Sequence, residues 1–145
     1  MTRLDTISTR LVSALRNASE ERQRSACLTA CEFAVQRSGI GSPVVDGTLR
    51  TLRARMPLPA NQQADLDALA VMLDNEYFEL QEAAEDGRAM ADDYMRPFGQ
   101  ARAVAALSFA ANLDDFEAVT EAIYEAATAT DDRDGLIAAV MKTLG

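Results

Sequence analysis

The stretch LDALAVMLDNEYFELQEAAEDG, residues 66–87, decides the fold class, because its apolar residues recur every three or four positions. This is the period of an α-helix, and it places on one face Leu66, Leu69, Leu73, Tyr77, Leu80 and Ala84. Four acidic residues lie about 100–180° around the axis from Leu73: Asp67, Asp74, Glu82 and Glu85. Phe78 and Val71 lie among these acids, although solvation alone would not require an aromatic ring there. The stretch therefore predicts a helix with two different faces.

The same periodicity recurs along the rest of the chain, and no alternating β-branched run indicates a strand. The apolar stripe of Leu4, Ile7, Leu11 and Leu15 predicts the first helix over about 3–17, and Ser19 and Gly39 bound the second. Ser42 and Pro43 begin the third helix, which stops before the MPLP segment at 56–59. The fourth helix is predicted at about 61–87 with Asn61 as its cap, and the fifth from 89 with a kink or break at Pro97 and Gly99. The Ala-rich segment after Gly99 predicts that the fifth helix is the central one. The last two helices are predicted from 112 or 114 to about 128 and at about 136–144. The predicted fold is all-α, one domain over residues 1–145, a bundle of about six to seven mostly antiparallel helices.

Missing residue types exclude many kinds of chemistry. The chain has no His, so His-based nucleophilic dyads and the usual zinc sites are excluded. Cys27 and Cys31 lie four apart in a helical segment, where they share a face and do not suit a disulfide, so we expect buried thiols in a reducing compartment. With no span long enough for a bilayer and no secretory signal pattern, the expected location is the cytoplasm. No cofactor is predicted.

The net charge of −9 argues against partners that are nucleic acids or anionic membranes. The charge is unevenly distributed: residues 1–55 carry nine Arg and five acids, a net of +4, and residues 56–145 carry a net of −13. We expect an acidic surface formed mainly by the later helices. Arg50, Arg53 and Arg55 form a small basic patch that either binds an anion or, as we favour, pairs with the protein's own acids.

Two segments contain acidic residues at a spacing similar to that of a known metal site. Glu76, Glu79 and Glu82 are spaced by three, as in the acidic helix of all-α nucleotide pyrophosphohydrolases, but the E-x-x-D element that would complete the Mg²⁺ site is absent. The segment TATDDRDG, residues 128–135, resembles a calcium loop, yet Met141 stands where a bidentate Glu is required. Helix capping by its Asp residues explains that segment. Neither a metal site nor a catalytic residue is predicted.

Three segments resemble the small, acidic, all-helical immunity proteins encoded beside bacterial polymorphic toxins. They are NEYFELQEAAEDGRA (75–89), FGQARAVAALSFA (98–110) and EAIYEAATATDD (121–132), all in the C-terminal half. The resemblance implies a non-enzymatic protein that binds one toxin tightly through acidic surface helices and covers its active site. It carries over no individual residue.

The sequence hypothesis is therefore a cytoplasmic protein-binding module, and in its specific form an immunity protein that neutralises a basic toxin domain. The expected partner-binding surface presents the aromatic side chains of Phe78 and Tyr94 among acidic residues. It consists of Asp67, Asp74, Phe78, Glu82, Glu85, Asp92, Asp93 and Tyr94. Two alternatives stay open. One is a Mg²⁺-dependent hydrolase using Glu76, Glu79 and a third acid from another helix; the other is a helical adaptor or oligomer subunit.

Overall fold

The computed structural model describes residues 1–88 and 90–145, and at residues 91 and 92 only the backbone. Over these residues the chain is helical and contains no strand, which confirms the all-α prediction. A 3-10 turn at Arg3–Thr6 precedes seven α-helices: α1 Thr9–Arg16, α2 Glu20–Ser38, α3 Pro43–Arg53, α4 Ala60–Glu85, α5 Ala91–Ala111, α6 Phe116–Ala129 and α7 Arg133–Leu144. None of the helices in this part of the chain combines the length and the apolar character needed to cross a membrane.

Helix termini that carry clear sequence signals lie where they are predicted. Ser19 begins α2 by accepting a hydrogen bond from the backbone N–H of Arg22 (3.2 Å), and Gly39 ends it with φ of 69°. Ser42 accepts from the N–H of Val44 (3.2 Å) at the start of α3. Such side chains and left-handed glycines satisfy backbone groups that a helix end leaves without partners.

Two other helix starts differ from the prediction. The single helix expected over 3–17 is divided, because the Ser8 hydroxyl accepts from the N–H of Leu11 (3.1 Å) and starts α1 separately from the 3-10 turn. Asn61 does not cap α4. Pro59 is the capping residue instead, and its carbonyl accepts from the N–H of Gln63 (2.9 Å). The ring of Pro59 fixes its φ at −60°, which suits the residue that enters a helix.

Of the kink or break expected at Pro97 and Gly99, the break is absent, since α5 continues through both residues. Pro97 removes one backbone hydrogen bond and is buried, so packing around it offsets the loss. Gly99 lets α5 approach α6 closely: a Cβ atom at this position would lie 3.0 Å from the carbonyl oxygen of Ala129. The two residues that predicted a break instead place α5 against its neighbours.

Helix α5 is central, as its Ala-rich sequence predicts, and it packs against α2, α3, α4 and α6. Its side chains Ala103, Val104, Ala106 and Leu107 are at most 1% exposed. Helices α5 and α6 run antiparallel, since Arg102 meets Glu125 and Gly99 lies against Ala129. Helices α2 and α7 also run antiparallel, since Arg22 contacts Leu144 and Thr29 contacts Thr143. Small residues let helix axes approach closely at the core, as at the buried Ala26, Cys27, Ala30, Cys31 and Ala34 of α2.

Candidate protein-interaction surface

Helices α4 and α5 form an antiparallel pair joined by a short connection. Gln63 contacts Ser108, Asp74 contacts Arg102, and Tyr77 contacts both Tyr94 and Phe98. As the residue number rises on α4 it falls on α5, which is the arrangement of an αα-hairpin. We call residues 71–98 the α4–α5 hairpin.

The inner side of α4 is the predicted apolar stripe. Leu66 and Leu73 are buried, and Leu69, Leu80 and Ala84 are half-buried. This stripe therefore faces α5 and the core, as the sequence indicates.

Tyr77 extends the stripe toward the hairpin tip. The centroid of its ring lies 5.8 Å from that of Tyr94, edge-on, and 5.4 Å from that of Phe98. Aromatic pairs at this separation stabilise the contact beyond simple burial. The aromatic cluster holds the start of α5 against the end of α4.

Phe78 also contacts Tyr77, with ring centroids 5.2 Å apart, but it lies toward the outer side of α4 and is 60% exposed. Val71, seven residues earlier and therefore on the same line of α4, is also 60% exposed. The exposure of Phe78, on which the sequence hypothesis depends, is thus a feature of the fold. Seven large apolar side chains are exposed in the described part of the chain, and five belong to the hairpin: Val71, Met72, Phe78, Met90 and Met95.

Acidic side chains surround Phe78 and Val71 on α4. Asp67, Glu82 and Glu85 are exposed, and Asp74 is half-buried. The hairpin has eight acidic residues and two Arg, a net charge of −6. We call Asp67, Val71, Asp74, Phe78, Glu82 and Glu85 the acidic face.

Asp74 links the acidic face to the core through two further charged residues. Its carboxylate lies 3.6 Å from the Arg102 guanidinium, which in turn donates to Glu125 of α6 (3.2 Å). Glu125 is 5% exposed and also accepts from Arg3 (3.2 Å). The hydrogen bond from Arg3 to Glu121 raises the pKa of Arg3 above its usual value. A buried carboxylate needs such partners, and the network fixes where Asp74 sits.

The expected partner-binding residues therefore divide into two groups. Asp67, Asp74, Phe78, Glu82 and Glu85 share one face of α4. Tyr94 does not stand out as a second anchor, because it is half-buried against Tyr77. Asp93 caps α5, accepting from the N–H of Met90 (2.9 Å), and the side chain of Asp92 lies outside the described residues.

Sequence reasoning missed the three methionines of the hairpin. Met72 lies on neither of the two faces identified for α4, and Met90 and Met95 border a helix start that has no strong apolar period. The available signal was their clustering around the α4–α5 connection. Unbranched, polarisable Met side chains adapt to differently shaped partners.

Two other groups of charged residues were candidate sites. Arg53 pairs with Glu32 and Arg55 with Glu21, as the favoured intramolecular pairing predicts, whereas Arg50 makes no ion pair with a described residue. Glu76 and Glu79 are exposed, and among the described side chains no three His, Cys, Asp or Glu residues gather as a metal site would require.

Both cysteines are free and buried, as predicted. Burial raises the pKa of Cys27 to about 12 and the pKa of Cys31 well above its usual value. Because the thiolate is the nucleophile, neither thiol is activated in the folded protein.

Comparisons with known proteins found no matching family model, no matching curated protein and no matching solved structure.

Proposed function

We propose that this protein binds a basic protein partner through the acidic face of α4, with Phe78 as the central anchor. The observation that carries the proposal is the 60% exposure of Phe78 within a hairpin of net charge −6. A large aromatic side chain surrounded by charge is typical of an interface whose centre is buried by the partner and whose rim stays solvated.

The energetics support Phe78 as the anchor. A Phe side chain offers about 200 Å² of surface, so a partner that covers the exposed 60% would remove about 120 Å² from water. At about 25 cal/mol per Å², this gives roughly 3 kcal/mol, the size of an interface hot spot. Val71 extends the same apolar line along α4.

The charges define the chemistry of the partner. Lys and Arg side chains of the partner would face Asp67, Glu82 and Glu85, and opposite fields accelerate encounter. A second copy of this chain would instead bring two acidic faces together, which opposes pairing. A basic protein is therefore the occupant that fits.

The surface is also preorganised. Tyr77 is held by two rings of α5, and Asp74 is held by Arg102, so little ordering is needed on binding. This property suits an inhibitor that remains bound for long periods. The finer form of the proposal is an immunity protein that neutralises a basic toxin domain in the cytoplasm, where buried free thiols are stable.

The test is affinity capture from the native cell at low and high salt, with three baits. They are the wild type, Phe78→Glu, and Met56→Glu as a matched control, because Met56 is 61% exposed but lies before the start of α4. We expect one basic protein to be retained by the wild type and by Met56→Glu, less at high salt, and to be lost with Phe78→Glu while circular dichroism is unchanged.

Two outcomes would overturn the proposal. One is undiminished retention by Phe78→Glu. The other is a concentration-dependent dimer, measured by sedimentation, that Phe78→Glu dissociates, since this would make the face a contact between copies. Inhibition of the captured protein's activity by the wild type would distinguish a toxin inhibitor from an adaptor.

A further inference from the structure

A second site lies away from the acidic face, in a cleft between α2, the end of α3 and the end of α5. Its volume is about 390 Å³, within the range of about 300–1,000 Å³ usual for small-molecule sites. Leu28 and Leu52 line it with apolar surface, and Met56, Arg24 and Asp114 also line it. The cleft thus combines hydrocarbon with a few charged groups, as ligand sites do.

One wall of the cleft is made by an unusual helix end. Arg55 follows α3 with φ of 57°, and the N–H of Met56 donates to the carbonyl of Thr51 (3.2 Å). Glycine normally occupies this left-handed position, because a Cβ atom there costs about 1–2 kcal/mol. The Arg55 side chain reaches α2, where it donates to Glu21 (3.0 Å) and Ser25 (2.7 Å).

The turn at Arg55 exposes an apolar side chain beside the cleft. Met56 is 61% exposed, although it borders an apolar surface that it could cover. The fold therefore keeps the cleft open and keeps hydrocarbon at its edge. A ligand with an apolar body would remove Met56, Leu28 and Leu52 from water together.

The charged side chains at the cleft differ in whether they already form an ion pair within the protein. Arg55 is neutralised by Glu21, whereas Arg24 is exposed and makes no ion pair with any described residue. Asp114, which carries the opposite sign, is likewise exposed and makes no ion pair with a described residue. An anionic group is therefore favoured near Arg24 and disfavoured near Asp114.

We propose that this cleft binds a small amphipathic carboxylate, with its carboxylate at Arg24 and its hydrocarbon against Leu28, Leu52 and Met56. The site does not depend on the proposed protein partner, because it involves none of the acidic-face residues. Binding to the two sites can be tested separately.

The experiment titrates the full chain with octanoate, and with octanol and octylamine as probes of equal chain length. Calorimetry gives the Kd, and amide chemical shifts locate the site. We expect octanoate to bind more tightly than octanol and more tightly than octylamine, with the largest amide shifts at residues 110–114 and around residue 56.

Three variants test the charge assignment. Arg24→Gln should weaken octanoate about fivefold or more and leave octanol unchanged, as expected for a solvated charged hydrogen bond. Asp114→Asn should tighten octanoate binding, and Arg50→Gln, an exposed arginine outside the cleft, should change nothing. The proposal is overturned if millimolar octanoate does not bind, if octanol binds equally well, or if the shifts map elsewhere.

Discussion

Tyr77 and Phe78 are neighbours in α4 with opposite surroundings, so replacing each by alanine tests the two-faced description of this helix directly. Both substitutions place alanine at adjacent positions of the same helix, and the gain in helix propensity is therefore similar for both. The difference between them reports what each ring contacts. Phe78 is 60% exposed, whereas Tyr77 is half-buried and meets the rings of Tyr94 and Phe98.

The expected magnitudes follow from these contacts. Each aromatic pair contributes about 0.5–1.5 kcal/mol, so losing the pairs of Tyr77 with Phe78, Tyr94 and Phe98 removes about 1.5–4.5 kcal/mol before buried area is counted. Phe78 hides about 40% of its roughly 200 Å², or about 80 Å², which sets an upper bound of about 2 kcal/mol. Its Cβ atom remains in Ala and helix propensity improves, but one aromatic pair with Tyr77 is lost, so we expect a net loss of about 1 kcal/mol.

Thermal and urea unfolding of the two variants measure these free energies. For a chain of this size, about 1 kcal/mol corresponds to roughly 2–4 °C in Tm. Tyr77→Ala should therefore lower the Tm by roughly 5–10 °C, and Phe78→Ala by less than about 4 °C. Equal losses, or a larger loss for Phe78→Ala, would mean that Phe78 packs inside the protein, and the acidic face would then have no anchor.

Two further predictions concern the core. Gly99→Ala should destabilise the protein by about 1 kcal/mol, because overpacking against the carbonyl of Ala129 exceeds the gain in helix propensity. Gly47→Ala, with no atom within 4 Å of the added Cβ, is the control and should raise the Tm; a rise for both variants would contradict the close approach of α5 and α6. For Cys27, the raised folded pKa favours the neutral thiol, so stability is intact below the unfolded pKa of 9.0 and falls as pH rises toward about 12. Unfolding by urea under reducing conditions should show about 1.4 kcal/mol lost through Cys27 by about pH 10, and a flat profile would refute this.

The sequence predicts the elements whose signals are local. Ser19, Gly39 and Ser42 mark helix ends because their side chain or backbone satisfies nearby groups, and the stripe from Leu66 to Ala84 identifies its own inner face. At Pro97 the local signal gives a wrong prediction, because the helix does not end there. The local cost of Pro97 is real, but distant packing overrides it, and periodicity contains no information about that packing.

The candidate site was likewise predictable only where it depends on local sequence. The position of Phe78 among acids follows from helical geometry alone, and so does its separation from the stripe. The pairing of Asp74 with Arg102 and the burial of Tyr94 against Tyr77 depend on which helix lies beside α4. Those contacts join residues far apart in the chain, so a single sequence does not reveal them.

The pairing of Arg3 with Glu121 and Glu125 has a consequence for synthesis on the ribosome. Arg3 and Glu121 are 118 residues apart in the sequence. At a synthesis rate of about 5–20 residues/s, Glu121 is therefore added roughly 6–24 s after Arg3. Helix α2 likewise packs against α6 and α7. The N-terminal segments are therefore the first to emerge and among the last to dock, and until then their apolar stripes are available to chaperones.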